Sequence, residues 1–310
     1  TISSAAVITG QAAVNISNEA GSSRDPAVAV SGNNVHVAWI KETSPQEIHY
    51  KKSTDGGNTF GSTVVVGSST AAQGPKIAVS GNNVHIVWES GQTGLKYARS
   101  MDGGSTFTTV DLFLGTNSDI RYPDISVSGN TVHVVGVAEY YPSYPNWTKV
   151  YQKSTNGGQT FGSFQTLWQE ESGDSPFISH SGNNVYIAWE VQHLTGQNPP
   201  PGSNPDAVPM LMKSTDGGNS FSSSTLSGDT WNYTGVYSIA SSGNNVYIVN
   251  NSDYGFSYWH STDKGNTFSP VLTANNSSYY GSPDVGISGS NVYISWKNQN
   301  NKEIYFTKST

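Results

Sequence analysis

Apolar and polar residues alternate along most of this chain, in short runs that are separated by glycine and asparagine. In Ser31–Trp39, a Ser-Gly-Asn-Asn turn is followed by Val35, Val37 and Trp39 at every second position, and a short apolar run precedes the turn. Alternation with period two, bounded by such turn residues, predicts two antiparallel strands. Two further strands are predicted at Glu47–Lys52 and Gly61–Val66, so the unit has four strands.

The unit is repeated along the chain. Copies of the turn-and-strand phrase start 49, 48, 53, 61 and 46 residues apart, at Ser31–Trp39, Ser80–Trp88, Ser128–Gly136, Ser181–Trp189, Ser242–Asn250 and Ser288–Trp296. A second phrase, here called the box, recurs in step with the first: Ser53–Phe60, Ser100–Phe107, Ser154–Phe161, Ser214–Phe221 and Ser261–Phe268. Repeats of about 50 residues are typical of propellers and solenoids.

These repeats predict an all-β fold, a six-bladed β-propeller with four antiparallel strands in each blade. We expect a single domain over residues 1–310, with blades at roughly 23–70, 71–118, 119–171, 172–229, 230–277 and 278–310. The last unit lacks a fourth strand, and the strand-like stretch Gln11–Ser17 precedes the first unit. We expect this N-terminal strand to complete blade six, since a closed ring leaves no sheet edge. The alternative is insertion into a neighbouring molecule.

The boxes carry a family resemblance. Four of the five match the pattern Ser-x-Asp-x-Gly-x-Thr-Phe if Ser220 is allowed for Thr, and Asn156 replaces Asp in the third. The chain therefore resembles the Asp-box (BNR-repeat) propellers, which include the sialidases. The resemblance implies that the box is a structural turn on the side away from the active site. On this basis the following residues are structural: Asp55, Asp102, Asn156, Asp216 and Asp263.

A sialidase site, by the same resemblance, needs several arginines, a Tyr nucleophile assisted by a Glu, and an acidic Asp. The family's first arginine stands two residues before a proline, as do Arg24 and Arg121 in this chain. The remaining arginine, Arg99, precedes a box and is assigned to the scaffold. Two arginines do not make the family's triad, and lysine does not reproduce bidentate carboxylate binding. We expect no sialidase activity.

The composition limits the partners and the cellular location that we expect for the protein. Charged residues make up 12% of the chain, the net charge is −7 and cysteine is absent. A mildly acidic surface argues against nucleic acid as a partner, and no apolar run is long enough to span a bilayer. The chain starts with Thr, and we expect a secreted or cell-surface protein that needs no cofactor. His36, His85 and His133 share one register and are interpreted as interblade packing residues, so no metal site is predicted.

Candidate ligand-binding residues lie at one end of the blades. In antiparallel blades the Ser-Gly-Asn-Asn turns and the boxes share one end. The other end, here called the top end, carries the start of the first strand and the loop between the second and third strands. Long loops at this end, such as Val137–Thr148 and Glu190–Val208, typically carry function. The candidates are Arg24, Asp25, Arg121, Tyr122, Asp124, Glu139, Tyr141, Trp147, Asp174, Trp231, Tyr237, Tyr280 and Asp284.

Three functional hypotheses remain. The first is a module without sialidase activity that binds a glycan or an extracellular protein through its aromatic top-end loops. The second is a glycoside hydrolase that uses a pair of top-end carboxylates, since glycosidases need two of them, with Tyr279 or Tyr280 assisting. The third is a structural subunit of an extracellular assembly, although a monomer is the expected state. Sequence alone identifies no catalytic residue.

Overall fold

The computed structural model describes residues 6–7, 14–91, 94–113, 118–140, 147–170, 175–192, 207–226, 233–252, 255–269, 272–273, 280–288, 291–298 and 304–309. These residues contain no helix and form six four-stranded antiparallel sheets. This is the predicted fold, a six-bladed β-propeller, in which each sheet is one blade. No helix in the described part of the chain is long and apolar enough to cross a membrane.

The chain divides into two compact units. One unit contains residues 12–169, and the other contains residues 170–310 together with residues 1–11. The single domain expected from the sequence stays a prediction. The first strand along the chain, β1 (Ala6–Val7), belongs to blade six. Residues 12–169 hold blades one to three. Their strands are β2 (Ser23–Ser31), β3 (Asn34–Lys41), β4 (Gln46–Ser53) and β5 (Val64–Ser69); β6 (Ala72–Ser80), β7 (Asn83–Ser90), β8 (Leu95–Ser100) and β9 (Thr108–Leu112); β10 (Ser118–Ser128), β11 (Thr131–Tyr140), β12 (Trp147–Ser154) and β13 (Gln165–Glu170).

The other unit holds blades four to six. Their strands are β14 (Phe177–Ser181), β15 (Asn184–Gln192), β16 (Ala207–Ser214) and β17 (Ser222–Thr225); β18 (Tyr233–Ser242), β19 (Asn245–Ser252), β20 (Gly255–Ser261) and β21 (Leu272–Thr273); β22 (Tyr280–Ser288), β23 (Asn291–Asn298) and β24 (Ile304–Ser309), with β1 paired to β24.

Within each unit the hydrophobic core lies between successive blades. Trp88 of blade two is fully buried in a cluster with Ile40 and Ile48 of blade one. Leu95 of blade two packs in the same way against Val134 of blade three. Burying large aliphatic and aromatic side chains in this way supplies most of the favourable free energy of folding.

The strand that completes blade six differs from the predicted one. Ala6 and Val7 pair antiparallel with Phe306 and Tyr305 of β24, so an N-terminal strand of the same chain does complete the blade. The predicted bounds, Gln11–Ser17, were wrong, because the described part of that segment, residues 14–17, is not strand. The Asn15 side chain accepts hydrogen bonds from Ser17 Oγ at 3.0 Å and from the backbone N of residue 18 at 3.1 Å. Such an asparagine turn competes with strand pairing.

Candidate functional site

The boxes fold into tight turns in which the third residue binds the backbone that follows it. In the first box, Asp55 accepts hydrogen bonds from Ser53 Oγ at 2.7 Å, from Thr59 N at 2.9 Å and from Thr59 Oγ1 at 2.6 Å. The hydrogen bonds from Thr59 and then Ser53 lower the pKa of Asp55 to about 2. Equivalent contacts are made by Asp102, Asn156, Asp216 and Asp263. This geometry is that of a structural turn.

Tyrosines of one blade occupy the space beside a box glycine of the next blade. Tyr50 lies against the second box, where its hydroxyl is 3.5 Å from the carbonyl oxygen of Gly103. A Cβ atom at Gly104 would overlap that hydroxyl, and one at Gly158 would overlap the hydroxyl of Tyr97. Both glycines also have positive φ angles, so these two positions require glycine twice over.

The three histidines in one register are buried packing residues. The Nδ1 atoms of His36, His85 and His133 each lie 2.6 Å from the hydroxyl oxygen of a tyrosine on the next strand of the same blade. Burial lowers the pKa of His36 and of His85 to about 4, so both are neutral at physiological pH. Among the described residues, no three metal-liganding side chains cluster.

The two Arg-x-Pro segments form bulges at the top ends of blades one and three. The pairing register shifts between Arg24 and Ala27, and again between Arg121 and Asp124. The middle residue of each bulge has a positive φ angle, 51° at Asp25 and 52° at Tyr122. A bulge bends its strand and redirects the side chains beside it.

At the top end of blade three, two carboxylates and an indole form a row across three strands. Asp119 of β10 lies opposite Glu139 of β11, which lies opposite Trp147 of β12. Residues directly opposite in a sheet have their side chains on the same face, with Cβ atoms about 4.5–5.5 Å apart. Asp119 and Glu139 are largely buried, and Trp147 is half-buried.

Arg121 bridges the two carboxylates of this row. Its Nη2 atom lies 3.2 Å from Asp119 Oδ2 and 3.3 Å from Glu139 Oε2. Because Asp119 and Arg121 are two residues apart on one strand, they share a face. Lys149, two residues after Trp147, is on this face too and is fully buried. The guanidinium is therefore a positively charged partner shared by both carboxylates.

Glu89 reaches this cluster from blade two. It follows Trp88 at the top end of β7, and its Oε1 atom accepts a hydrogen bond from the backbone N of Tyr122 at 2.8 Å. Burial raises the pKa of Glu89; the Tyr122 hydrogen bond and the charge of Arg121 oppose the shift, and Asp119 adds to it. The site therefore holds a carboxyl group with a raised pKa beside two carboxylates that share one arginine.

Arg24 forms a separate network at the top end of blade one. Its guanidinium contacts Glu42 through Nε at 2.8 Å, Asp25 through Nη1, and the carbonyl oxygen of Ala72 through Nη2 at 2.9 Å. The last contact joins blade one to the first strand of blade two. Asp25 is half-exposed and adds to the raised pKa of Glu89.

A carboxyl group with a raised pKa can act as the acid of a hydrolytic reaction, and a second carboxylate can act as its base or nucleophile. An indole beside them offers a flat apolar face of the kind that stacks on a sugar ring. The top ends of blades two and three thus bring together carboxyl groups and an indole, the side-chain types that glycosidases use.

Comparison with solved structures gives matches over nearly the whole chain. An α-L-arabinanase of Penicillium chrysogenum has a TM-score of 0.61 at 11% identity, covering 93% of each chain. The GH93 α-L-arabinofuranosidase of Fusarium graminearum has a TM-score of 0.60 at 12% identity, covering 92% of each chain. The NanB sialidase of Streptococcus pneumoniae has a TM-score of 0.52 at 8% identity, covering 92% of this chain and 67% of that one.

The likeness is one of fold. At such identities it does not transfer residue roles or substrates. No family model and no curated protein matches the chain. Functional assignment therefore depends on the residues of the site itself.

Of the predicted site residues, the structure brings Arg121, Tyr122, Glu139 and Trp147 together at the top end of blade three. Asp124 lies beyond the bulge, opposite Val135. Sequence reasoning missed Asp119, although its spacing of two residues from Arg121 places both on one face of a strand. Glu89 was not among the predicted site residues either. The buried Lys149 was also missed, because its position holds aliphatic residues in blades one and two.

Predicted residues in blades four to six are described separately. Asp284 Oδ1 accepts hydrogen bonds from Ser238 Oγ at 2.6 Å and from the Val285 backbone at 2.9 Å, which links blades five and six. Tyr237 is half-buried, near the bulge glycine Gly235. Tyr280 begins β22, and its side chain lies outside the described part of the structure. Three further candidates lie outside the described residues: Tyr141, Asp174 and Trp231.

Proposed function

We propose that this protein is a glycoside hydrolase whose active site includes the top ends of blades two and three. The observation that carries the proposal is the row of Asp119, Glu139 and Trp147, with Arg121 between the carboxylates and Glu89 beside it. The fold shared with arabinan-degrading enzymes supports a glycosidase. The five boxes support an Asp-box propeller scaffold.

Each residue has a role in this proposal. Glu89, whose pKa is raised by burial, is the general acid that protonates the leaving oxygen of the glycosidic bond. Glu139, which is ion-paired with Arg121, acts as nucleophile or as the base for water. Asp119 and Arg121 position that carboxylate, and Trp147 stacks on the sugar bound next to it.

Arabinose-containing glycans are the substrates to test first, because the solved neighbours include an arabinanase and an arabinofuranosidase. We also propose a secreted or cell-surface location, which the sequence favours. The arginines of the described top ends are already engaged with carboxylates, which supports a substrate without an acidic group over a sialoside.

A turnover screen tests the proposal. The intact chain is incubated with aryl glycosides of the common sugars and with linear and branched arabinan, and released sugar is quantified. Hydrolysis of a defined glycoside, lost in Glu139→Gln, is the expected result. Binding of a glycan without turnover, lost in Trp147→Ala, would instead support the non-catalytic module. Absence of both would overturn the assignment of this site to carbohydrate.

The non-catalytic module is the second candidate function. The observation in its favour is that Arg121 pairs with both carboxylates of the row, and ion-paired carboxylates also occur in purely structural networks.

A further inference from the structure

A lysine stands in the fifth box where the other four boxes have glycine. The residue directly after Ser-Thr-Asp or its equivalent is Gly56, Gly103, Gly157 or Gly217 in those boxes, and Lys264 in blade five. Lys264 keeps the same left-handed backbone, with a φ of 62° compared with 70° at Gly217. A side chain with a Cβ atom is strained in this region.

The fold gives no reason for this lysine. The Lys264 backbone N donates to the carbonyl oxygen of Asn244 at 2.8 Å, just as Gly217 N donates to Asn183 at 2.9 Å. A Cβ atom at Gly217 would meet open space, so crowding does not explain why blade four keeps a glycine. The turn is complete without the ammonium group, which leaves the side chain for another purpose.

Lys264 borders a groove of about 520 Å³ between the box ends of blades four and five. Its lining is polar: hydroxyls of Ser181 and Thr215, amides of Asn183, Asn184 and Asn244, and the lysine itself. The described lining contains no aromatic residue, so the groove lacks the stacking platform of a neutral sugar site. Its walls are tied together by a hydrogen bond from Ser181 Oγ to the carbonyl oxygen of Gly243, at 3.3 Å.

The backbone of the lysine is anchored, and a second cation, Lys213, lies nearby. The Lys264 carbonyl oxygen accepts a hydrogen bond from the hydroxyl of Tyr186 at 3.1 Å, which anchors the backbone. Lys213 Nζ donates to Asn266 Oδ1 at 2.6 Å. Burial lowers the pKa of Lys213, Asp263 opposes the shift and the charge of Lys264 adds to it, so the two ammonium groups sense each other.

We propose that this groove is a binding site for a hydroxylated carboxylate, specifically the uronic acid unit of an acidic polysaccharide. Amides and hydroxyls hydrogen-bond the sugar hydroxyls, and Lys264 pairs with the carboxylate. The site lies at the box end and does not depend on the function proposed for the top ends. It would hold the protein on an acidic polymer.

Titration calorimetry at low ionic strength tests the site, with trigalacturonate as the probe and the matching trimer of galactose as the uncharged comparison. The expected result is binding of trigalacturonate at least about tenfold tighter than the neutral trimer. Lys264→Gly, which restores the residue of the other boxes, loses at least about tenfold in affinity, the size expected for one charge-assisted contact.

Lys96→Ala is the matched control, since it removes one positive charge from the other unit and leaves the groove intact. It binds trigalacturonate as the parent does. Equal affinity of the parent and Lys264→Gly, equal affinity for the two trimers, or no binding of trigalacturonate would each overturn the proposal. Because glycine suits the turn better than lysine, a lost signal in Lys264→Gly does not arise from misfolding, and an unchanged melting curve verifies this.

Discussion

Asp119 and Glu139 lie directly opposite each other on neighbouring strands of blade three, and a single nitrogen of Arg121 contacts both carboxylates. Two like charges facing each other across a sheet repel. The positive charge of Arg121 offsets this repulsion, and Trp147 lies next to Glu139 in the same row. The stability of the cluster therefore depends on Arg121 more than it would on one partner of a typical exposed ion pair.

Removal of that arginine leaves the two carboxylates facing each other without a counterion. Arg121→Ala is expected to lower the free energy of unfolding by about 1 kcal/mol at neutral pH and to abolish most activity. Adding Asp119→Asn removes the repulsion and restores the stability without restoring turnover. Urea unfolding of the parent, the single variants and the double variant measures the coupling. Additive effects would show that the three side chains do not act together.

Glu89 gives the site a pH dependence with a definite sign. Its pKa is raised in the folded protein, so its carboxyl group destabilises the fold as the pH rises through that pKa. Glu89→Gln is expected to raise the melting temperature at neutral pH and to change it little below the ordinary pKa of a glutamate. The same variant is expected to lower the rate of glycoside hydrolysis by about 100-fold or more. Melting curves from pH 4 to 8 show whether the gain appears only at the alkaline side. A uniform gain would contradict the raised pKa.

Substitution of a box glycine tests whether the neighbouring tyrosine excludes a larger side chain from the turn. Gly158→Ala is expected to cost about 3 kcal/mol of stability or more, since its Cβ would overlap the Tyr97 hydroxyl. Gly182→Ala is the control: its φ is also positive, at 58°, but a Cβ there meets open space. It should cost about 1 kcal/mol. Similar costs for the two variants would show that Tyr97 does not restrict the box.

The buried histidines predict sensitivity to acid. Burial lowers the pKa values of His36 and His85 to about 4 in the folded protein. Between about pH 6.5 and pH 4, these histidines are therefore protonated in the unfolded chain but neutral in the folded one. Stability should fall over this range and level off below it. His85→Gln is expected to reduce the slope of melting temperature against pH. An unchanged slope in this variant would show that His85 does not cause the loss.

Repeats made the fold predictable, because each unit carries its own turns and alternation and the boxes mark the same point in each blade. The N-terminal strand was misplaced because an asparagine turn at Asn15 looks extended in sequence. At the site, Arg121 was predicted from its position two residues before a proline, and Tyr122, Glu139 and Trp147 from their places at the top end of blade three. Asp119 and Glu89 gained roles only when strand pairing and the Tyr122 bulge placed them beside Arg121. Those contacts depend on the register of two strands and the packing of two blades, which a single sequence does not specify.

In the proposed function, Glu139 takes part in cleaving a glycosidic bond. The initial rate of sugar release from arabino-oligosaccharides by the parent and by Glu139→Gln tests this role, with Glu47→Gln of blade one as a matched surface control. We expect turnover by the parent and by Glu47→Gln, and a loss of at least about 100-fold in Glu139→Gln with substrate binding retained. Equal rates in all three proteins would contradict it.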